Sequence, residues 1–125
     1  MTQQRFLEGK RILVLEDDYY LATDEKASLQ RAGAEVVGPF GSACTERDLL
    51  AAGHLDAALV DINLGTGPSF DFARLLAERG IPFIFVTGYD EAVIPREFLS
   101  APRLEKPVRE RDLVAAVTCL AGIQA

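Results

Sequence analysis

Short apolar runs alternate with amphipathic segments five times along the chain, and this alternation limits the folds open to it. Residues 11–15, 35–37, 57–60, 82–86 and 103–105 read as strands. The first, Ile12-Leu13-Val14-Leu15, is apolar at consecutive positions, the pattern of a strand covered on both faces. Residues 19–32 read as a helix, with Leu21, Ala22, Leu29 and Ala32 on one side and Gly33 as its stop. Ser42 suits the N-cap of a second helix ending at Gly53, and Ser69 the N-cap of a third ending at Gly80. A final helix over 109–120 places Leu113, Val117 and Leu120 at helical spacing. Residues 89–101 differ, because Pro95 and few apolar positions allow only a short or broken helix there. Strands alternating with helices imply a parallel sheet, since each parallel crossover needs a connection of helix length.

The chain has 125 residues, with 49% hydrophobic and 26% charged, which suits a single domain with its core over about 10–122. The net charge of −6 disfavours a nucleic-acid backbone as partner. No apolar run approaches the roughly 20 residues that span a bilayer. The N-terminal Met1-Thr2-Gln3-Gln4-Arg5-Phe6 has no signal-peptide core, so the cytoplasm is the expected location. Cys44 and Cys119 form neither a metal pair nor a disulfide framework and read as small helix-face residues.

In open parallel sheets, sites form beyond the carboxyl ends of the strands. Glu16-Asp17-Asp18 follow the first strand, Asp61 and Asn63 the third, Thr87-Gly88 the fourth and Lys106-Pro107 the fifth. Carboxylates from two strands make an oxygen-rich cup suited to a hard, hydrated cation, magnesium rather than zinc. The only histidine, His54, offers no zinc set. A lysine facing the acids balances their charge, and a threonine hydroxyl donates to an anionic oxygen. Together they form the equipment for phosphoryl transfer to an aspartate.

The motifs RILVLEDD, LVDINL, FVTGYD and LEKPV stand in order at four strand ends. On them the chain resembles the receiver domain of two-component response regulators, over almost its whole length. The resemblance implies a flavodoxin-like (βα)5 fold, a doubly wound five-stranded parallel sheet in order 2-1-3-4-5 with a short or irregular fourth helix. It implies that Asp61 accepts a phosphoryl group from a histidine kinase or phosphotransfer protein in a magnesium-dependent reaction. Asp17 and Asp61 would be metal ligands, with Glu16 holding a metal-bound water and Asn63 offering its backbone carbonyl. Thr87 and Lys106 would contact the phosphoryl oxygens, and a cis Lys106–Pro107 bond would direct the lysine. Asp18 reads instead as the N-cap of the first helix, with Tyr19 and Tyr20 in its first turn. FVTGYD, followed by a proline-bearing fourth-helix region, resembles the FATGUY stand-alone receivers, which are associated with stress signalling in alphaproteobacteria.

One position departs from the family. Receivers carry Tyr or Phe three positions before the lysine, and here Arg103 stands there. It is either a charge-based reporter that pairs with Asp90, Glu91 or Glu97, or a solvated arginine on an edge strand. Tyr89 flanks the site, either tuning acyl-phosphate hydrolysis or packing. The Gly65–Ser69 stretch lacks the ending of a P-loop and reads as a turn.

The expected function is a stand-alone signalling receiver without an effector domain. It would turn over only its own phosphoryl group and act through protein contacts or a phosphorelay, not through nucleic acid or membrane. Two rivals remain. One is a magnesium phosphatase with an aspartate nucleophile, whose Asp-x-Asp signature Glu16-Asp17-Asp18-Tyr19 does not match. The other is a receiver-like binding module that is never phosphorylated.

Overall fold

The computed structural model describes residues 5–41, 44–62, 70–88 and 94–122. In chain order the elements are β1 (Arg11–Leu15), α1 (Tyr19–Arg31), β2 (Glu35–Phe40), α2 (Glu46–Ala51), β3 (Ala57–Asp61), α3 (Asp71–Glu78), β4 (Phe83–Thr87), β5 (Arg103–Glu105) and α4 (Glu110–Leu120). The five strands form one sheet in the order β2-β1-β3-β4-β5, and every pairing is parallel. This is the doubly wound fold that the alternation and the resemblance imply.

Strand periodicity divides the core in two. Ile12 and Val14 point to the face covered by Leu29 of α1 and by Leu113 and Val117 of α4. Leu13 and Leu15 point to the opposite face, covered by Leu49 of α2 and by Ala73 and Leu76 of α3. Ile12, Leu13, Val14 and Leu15 are all buried, which explains the unbroken apolar run. Leu7, ahead of the first strand, is also fully buried in the first of these clusters.

Several boundaries differ from those expected. β2 continues through Gly38-Pro39 to Phe40 instead of closing at Val37. Leu13 pairs with Val37 and Leu15 with Phe40, so β2 accommodates one extra residue as a bulge. Gly38 has φ +101°, and a Cβ there would lie 2.8 Å from the Phe40 nitrogen and 2.9 Å from the Val14 oxygen, so only glycine fits. Pro39 is tolerated because β2 lies at the sheet edge, where a missing N–H breaks no interior ladder. The Gly38–Pro39 and Lys106–Pro107 peptide bonds are both cis.

The N-cap of α2 is Thr45, not Ser42. Its hydroxyl accepts from the Asp48 nitrogen at 3.3 Å, while Asp48 Oδ2 accepts from the Thr45 nitrogen at 2.8 Å. This reciprocal capping box satisfies two otherwise orphaned amides, an advantage a lone serine three residues earlier lacks. Ser42 itself lies outside the described residues. Cys44 therefore precedes α2 instead of lying on a helix face, half-buried against the second cluster. Cys119 is exposed on α4. α3 begins after Phe70 with no side-chain cap, and Ser69, expected to cap it, also lies outside the described residues.

Within the segment after β4, residues 94–122 are described. Among the described residues between β4 and β5, a 3-10 turn spans Arg96–Phe98. Phe98 is buried among Phe70, Phe83 and Phe85, with ring centroids 5.8–6.0 Å from its own. These contacts anchor the turn to the sheet beside β4.

Candidate functional site

Parallel pairing brings the carboxyl ends of β1, β3, β4 and β5 to one edge, and the acids and the lysine converge there. Asp61 is the last residue of β3 and is 4% exposed. Glu16 follows β1 and is 3% exposed. Thr87 ends β4 and is buried. Its carbonyl accepts from the Lys106 backbone nitrogen at 3.0 Å, so β4 sets where the lysine leaves the sheet. Lys106 Nζ then lies 3.3 Å from Asp61 Oδ1 and 3.2 Å from Glu16 Oε1. Glu16, Asp17, Asp18, Asp61 and Lys106 line one cleft.

Two adjacent acids divide in role. Asp18 Oδ1 accepts from the Tyr20 and Leu21 nitrogens at 2.9 and 3.0 Å, capping α1 as expected. Asp17 is exposed at the cleft mouth. Its Oδ1 lies only 2.8 Å from where a Cβ on Gly41 would stand, so the end of β2 leaves space for this carboxylate. The bulge in β2 serves the same corner, since the Phe40 carbonyl accepts from the Glu16 nitrogen at 2.9 Å.

The electrostatics centre on Glu16. Burial is the main cause that pushes its carboxyl up to about 7, and a hydrogen bond to Asp61 adds to it. The Asp18 amide, donating to Glu16 Oε2 at 3.1 Å, and the Lys106 charge oppose the rise. Although Lys106 Nζ is close to Oε1 in distance, Oε1 is buried without a directed hydrogen bond. The ammonium instead donates to Glu16 Oε2 at 3.4 Å, and a proton on Glu16 gives the carboxyl a means to donate to Asp61. Burial lowers Lys106, but attraction to Asp61 and Glu16 outweighs it and leaves the ammonium above the usual lysine value.

A hard cation suits this donor set in kind, being all carboxylate oxygen, with one buried acceptor atom at Glu16 still to be satisfied. Among the described residues no group of three His, Cys, Asp or Glu side chains is spaced to hold a metal ion by itself. Asn63, Tyr89, Asp90 and Glu91 lie outside the described residues. Glu97 receives Arg74 Nε at 2.7 Å. Among the described residues, a Cβ on Gly88 would meet nothing within 4 Å.

Two residues at this edge were not foreseen. Gly41 is one, and its signal was invisible because a close approach of backbone to a side chain depends on the fold. Glu25 is the other, a buried acid on α1 whose position between Ala22 and Leu29 on the apolar stripe was readable.

No protein-family model and no curated protein matches the sequence. Solved structures do. SdrG from Pseudomonas melonis Fr1, in its BeF3-activated conformation, is 30% identical with a TM-score of 0.72, the match covering 96% of this chain and 99% of that one. The receiver domain of the TMAO respiratory system response regulator TorR is 27% identical with a TM-score of 0.73, over 89% of this chain and 95% of that one. A response regulator receiver protein from Sinorhizobium medicae WSM419 is 24% identical with a TM-score of 0.76, over 92% and 96%, and shows the shared fold.

Proposed function

This chain belongs to the receiver domains of response regulators, and from that membership we propose that Asp61 is its phosphoacceptor. The observation that carries the proposal is the buried Asp61 carboxylate with the Lys106 ammonium 3.3 Å away. A carboxylate oxygen of Asp61 attacks the phosphorus of a phosphohistidine. The P–N bond breaks, and the imidazole nitrogen keeps the electron pair and takes a proton. The product is an acyl phosphate on Asp61.

Lys106 neutralises charge on the transferred oxygens, and its direction is set by the Thr87 carbonyl and by the paired acids. The Thr87 hydroxyl, at the end of the neighbouring strand, donates to a second phosphoryl oxygen. Asp17, Glu16, Asp61 and the Asn63 carbonyl are the residues that would hold magnesium. Bound there, the ion supplies further neutralisation of phosphoryl charge. Burial at the strand edge limits water around Asp61 and strengthens each of these interactions.

The finer reading is a stand-alone, cytoplasmic receiver of the FATGUY stress-signalling type, fed by a histidine kinase or phosphotransfer protein. It signals by protein contact or phosphorelay and turns over only its own phosphoryl group. The FVTGYD motif and the 3-10 turn at Arg96–Phe98 support the subgroup. No described helix is long and apolar enough to cross a membrane.

The test is intact mass after incubation with magnesium and acetyl phosphate. One labile phosphoryl adduct, absent in Asp61→Asn, is expected. Turnover of phosphate esters would favour the phosphatase, and no adduct even with a cognate kinase would leave only a binding module.

A further inference from the structure

Helix α1 buries one acid that phosphoryl transfer does not use. Glu25 is 8% exposed and lies on the apolar stripe with Ala22 and Leu29. It borders a cavity of about 150 Å³ walled by Val86 and Leu113, and Lys106 borders that cavity too. Lys106 also lines the cleft that holds Glu16 and Asp61, so the lysine separates two acidic compartments. Among the described residues nothing hydrogen-bonds the Glu25 carboxyl. Its polar neighbours are already engaged, because Ser28 Oγ donates to Glu110 at 3.1 Å and Arg31 pairs with Glu110 across α1 and α4. Lys106 is therefore the cation in the cavity that remains for Glu25 to answer.

We propose that Glu25 is a positioning residue for Lys106, a second carboxyl whose ionisation competes with Asp61 for the ammonium through the shared cavity. The proposal rests on the reading of Lys106 as the phosphoryl contact. The charged groups around Glu25 come from every neighbouring element. They are Asp24 on α1, Glu16 and Asp18 after β1, Asp61 at the end of β3, Lys106 after β5 and Glu110 on α4. Burial is the largest influence on Glu25 and repulsion from Glu16 the next; Lys106 opposes them, and the carboxyl is pushed up to about 8. At neutral pH Glu25 is protonated and leaves the ammonium to Asp61. Above that range it ionises and draws the ammonium back. A phosphoryl group on Asp61 adds negative charge across the same lysine, so phosphorylation and a protonated Glu25 favour each other.

The experiment has two readouts on the full chain and on Glu25→Gln, a near-isosteric change. The first is the rate of adduct formation from acetyl phosphate with magnesium between pH 6 and pH 9. Relative to Glu25→Gln, wild type is expected to lose about threefold or more across the upper half of that range, as a competing base would dictate. The second is NMR of the unphosphorylated protein, where the Lys106 ε-carbon is expected to titrate with the Glu25 carboxyl carbon near pH 8, a step absent in Glu25→Gln. Superimposable rate profiles overturn the proposal, as does a Lys106 resonance blind to Glu25. If Glu25→Gln does not fold, the wild-type resonances decide: a shared midpoint supports the proposal and separate midpoints overturn it. Absence of adduct in both proteins at every pH, with a cognate kinase as well as with acetyl phosphate, overturns the phosphoacceptor reading and this proposal with it. Adduct with identical profiles overturns the proposal alone.

Discussion

Asp17 and Asp18 are chemically alike and one bond apart, yet the backbone gives them different tasks. Asp18 turns onto the free amides of α1, and Asp17 faces the cleft. Asp18→Ala is expected to cost about 1 kcal/mol in chemical denaturation while leaving magnesium-dependent phosphorylation intact. Asp17→Ala is expected to abolish that phosphorylation with little loss of stability. Equal loss of phosphorylation in both variants would shift the metal register by one residue. Gly41 belongs to the same corner. A methyl group there meets the mobile end of Asp17, 2.8 Å away, not rigid backbone. The carboxylate would yield, so Gly41→Ala is expected to weaken magnesium binding about tenfold by titration calorimetry with unchanged melting. The acids and the lysine were legible in sequence because strand ends in a parallel sheet all arrive at one edge. Gly41 was not, since its role depends on β2 bending back toward the loop after β1.

At the scale of elements, the strands were readable to within a residue or two wherever a continuous apolar run met a charged end, as in β1 and β3. β2 was not. Gly38-Pro39 carries the strongest local stop signal in the chain, but the sheet absorbs it as a bulge on an edge strand. The tertiary requirement prevails because the Phe40 carbonyl is needed by the Glu16 nitrogen. Gly38→Ala tests this. Its φ of +101° and backbone contacts at 2.8 and 2.9 Å leave no cheap relaxation, so a loss of about 2 kcal/mol or more is expected in urea unfolding. A loss under about 0.5 kcal/mol, typical of an exposed turn, would show that the bulge is dispensable. The start of α2 was misjudged for a different reason. Ser, Thr and Asp all suit an N-cap, and the reciprocal bond between Thr45 and Asp48 decides among them. For Arg103 no contact with Glu97 is needed to explain Glu97, because Arg74 already holds that carboxylate and lies 5.9 Å over the Phe98 ring.

The whole molecule is a sheet with helices on both faces, and burial of two acids beside its upper edge gives its stability a pH dependence. Glu16 and Glu25 lose their protons near 4.5 when unfolded but only near 7 and 8 when folded. Between those values the folded state binds more protons, so their contribution is fully present below about 4.5 and is lost as pH rises through 7 and 8. For Glu25 the upper bound is about 5 kcal/mol, taking about 1.4 kcal/mol for each unit of displacement. The melting temperature of wild type is therefore expected to fall from pH 5 to pH 8 more steeply than that of Glu25→Gln. Parallel curves would mean that Glu25 ionises freely in the folded state. The same corner of charge is the account's centre, and locating the phosphoryl group tests it most directly. After reaction with magnesium and acetyl phosphate, borohydride reduces an aspartyl phosphate to homoserine, and peptide mass then identifies the reduced position. Conversion at Asp61 alone is the result this account predicts. Conversion at Asp17 or Asp18, or at none of the three, would contradict it.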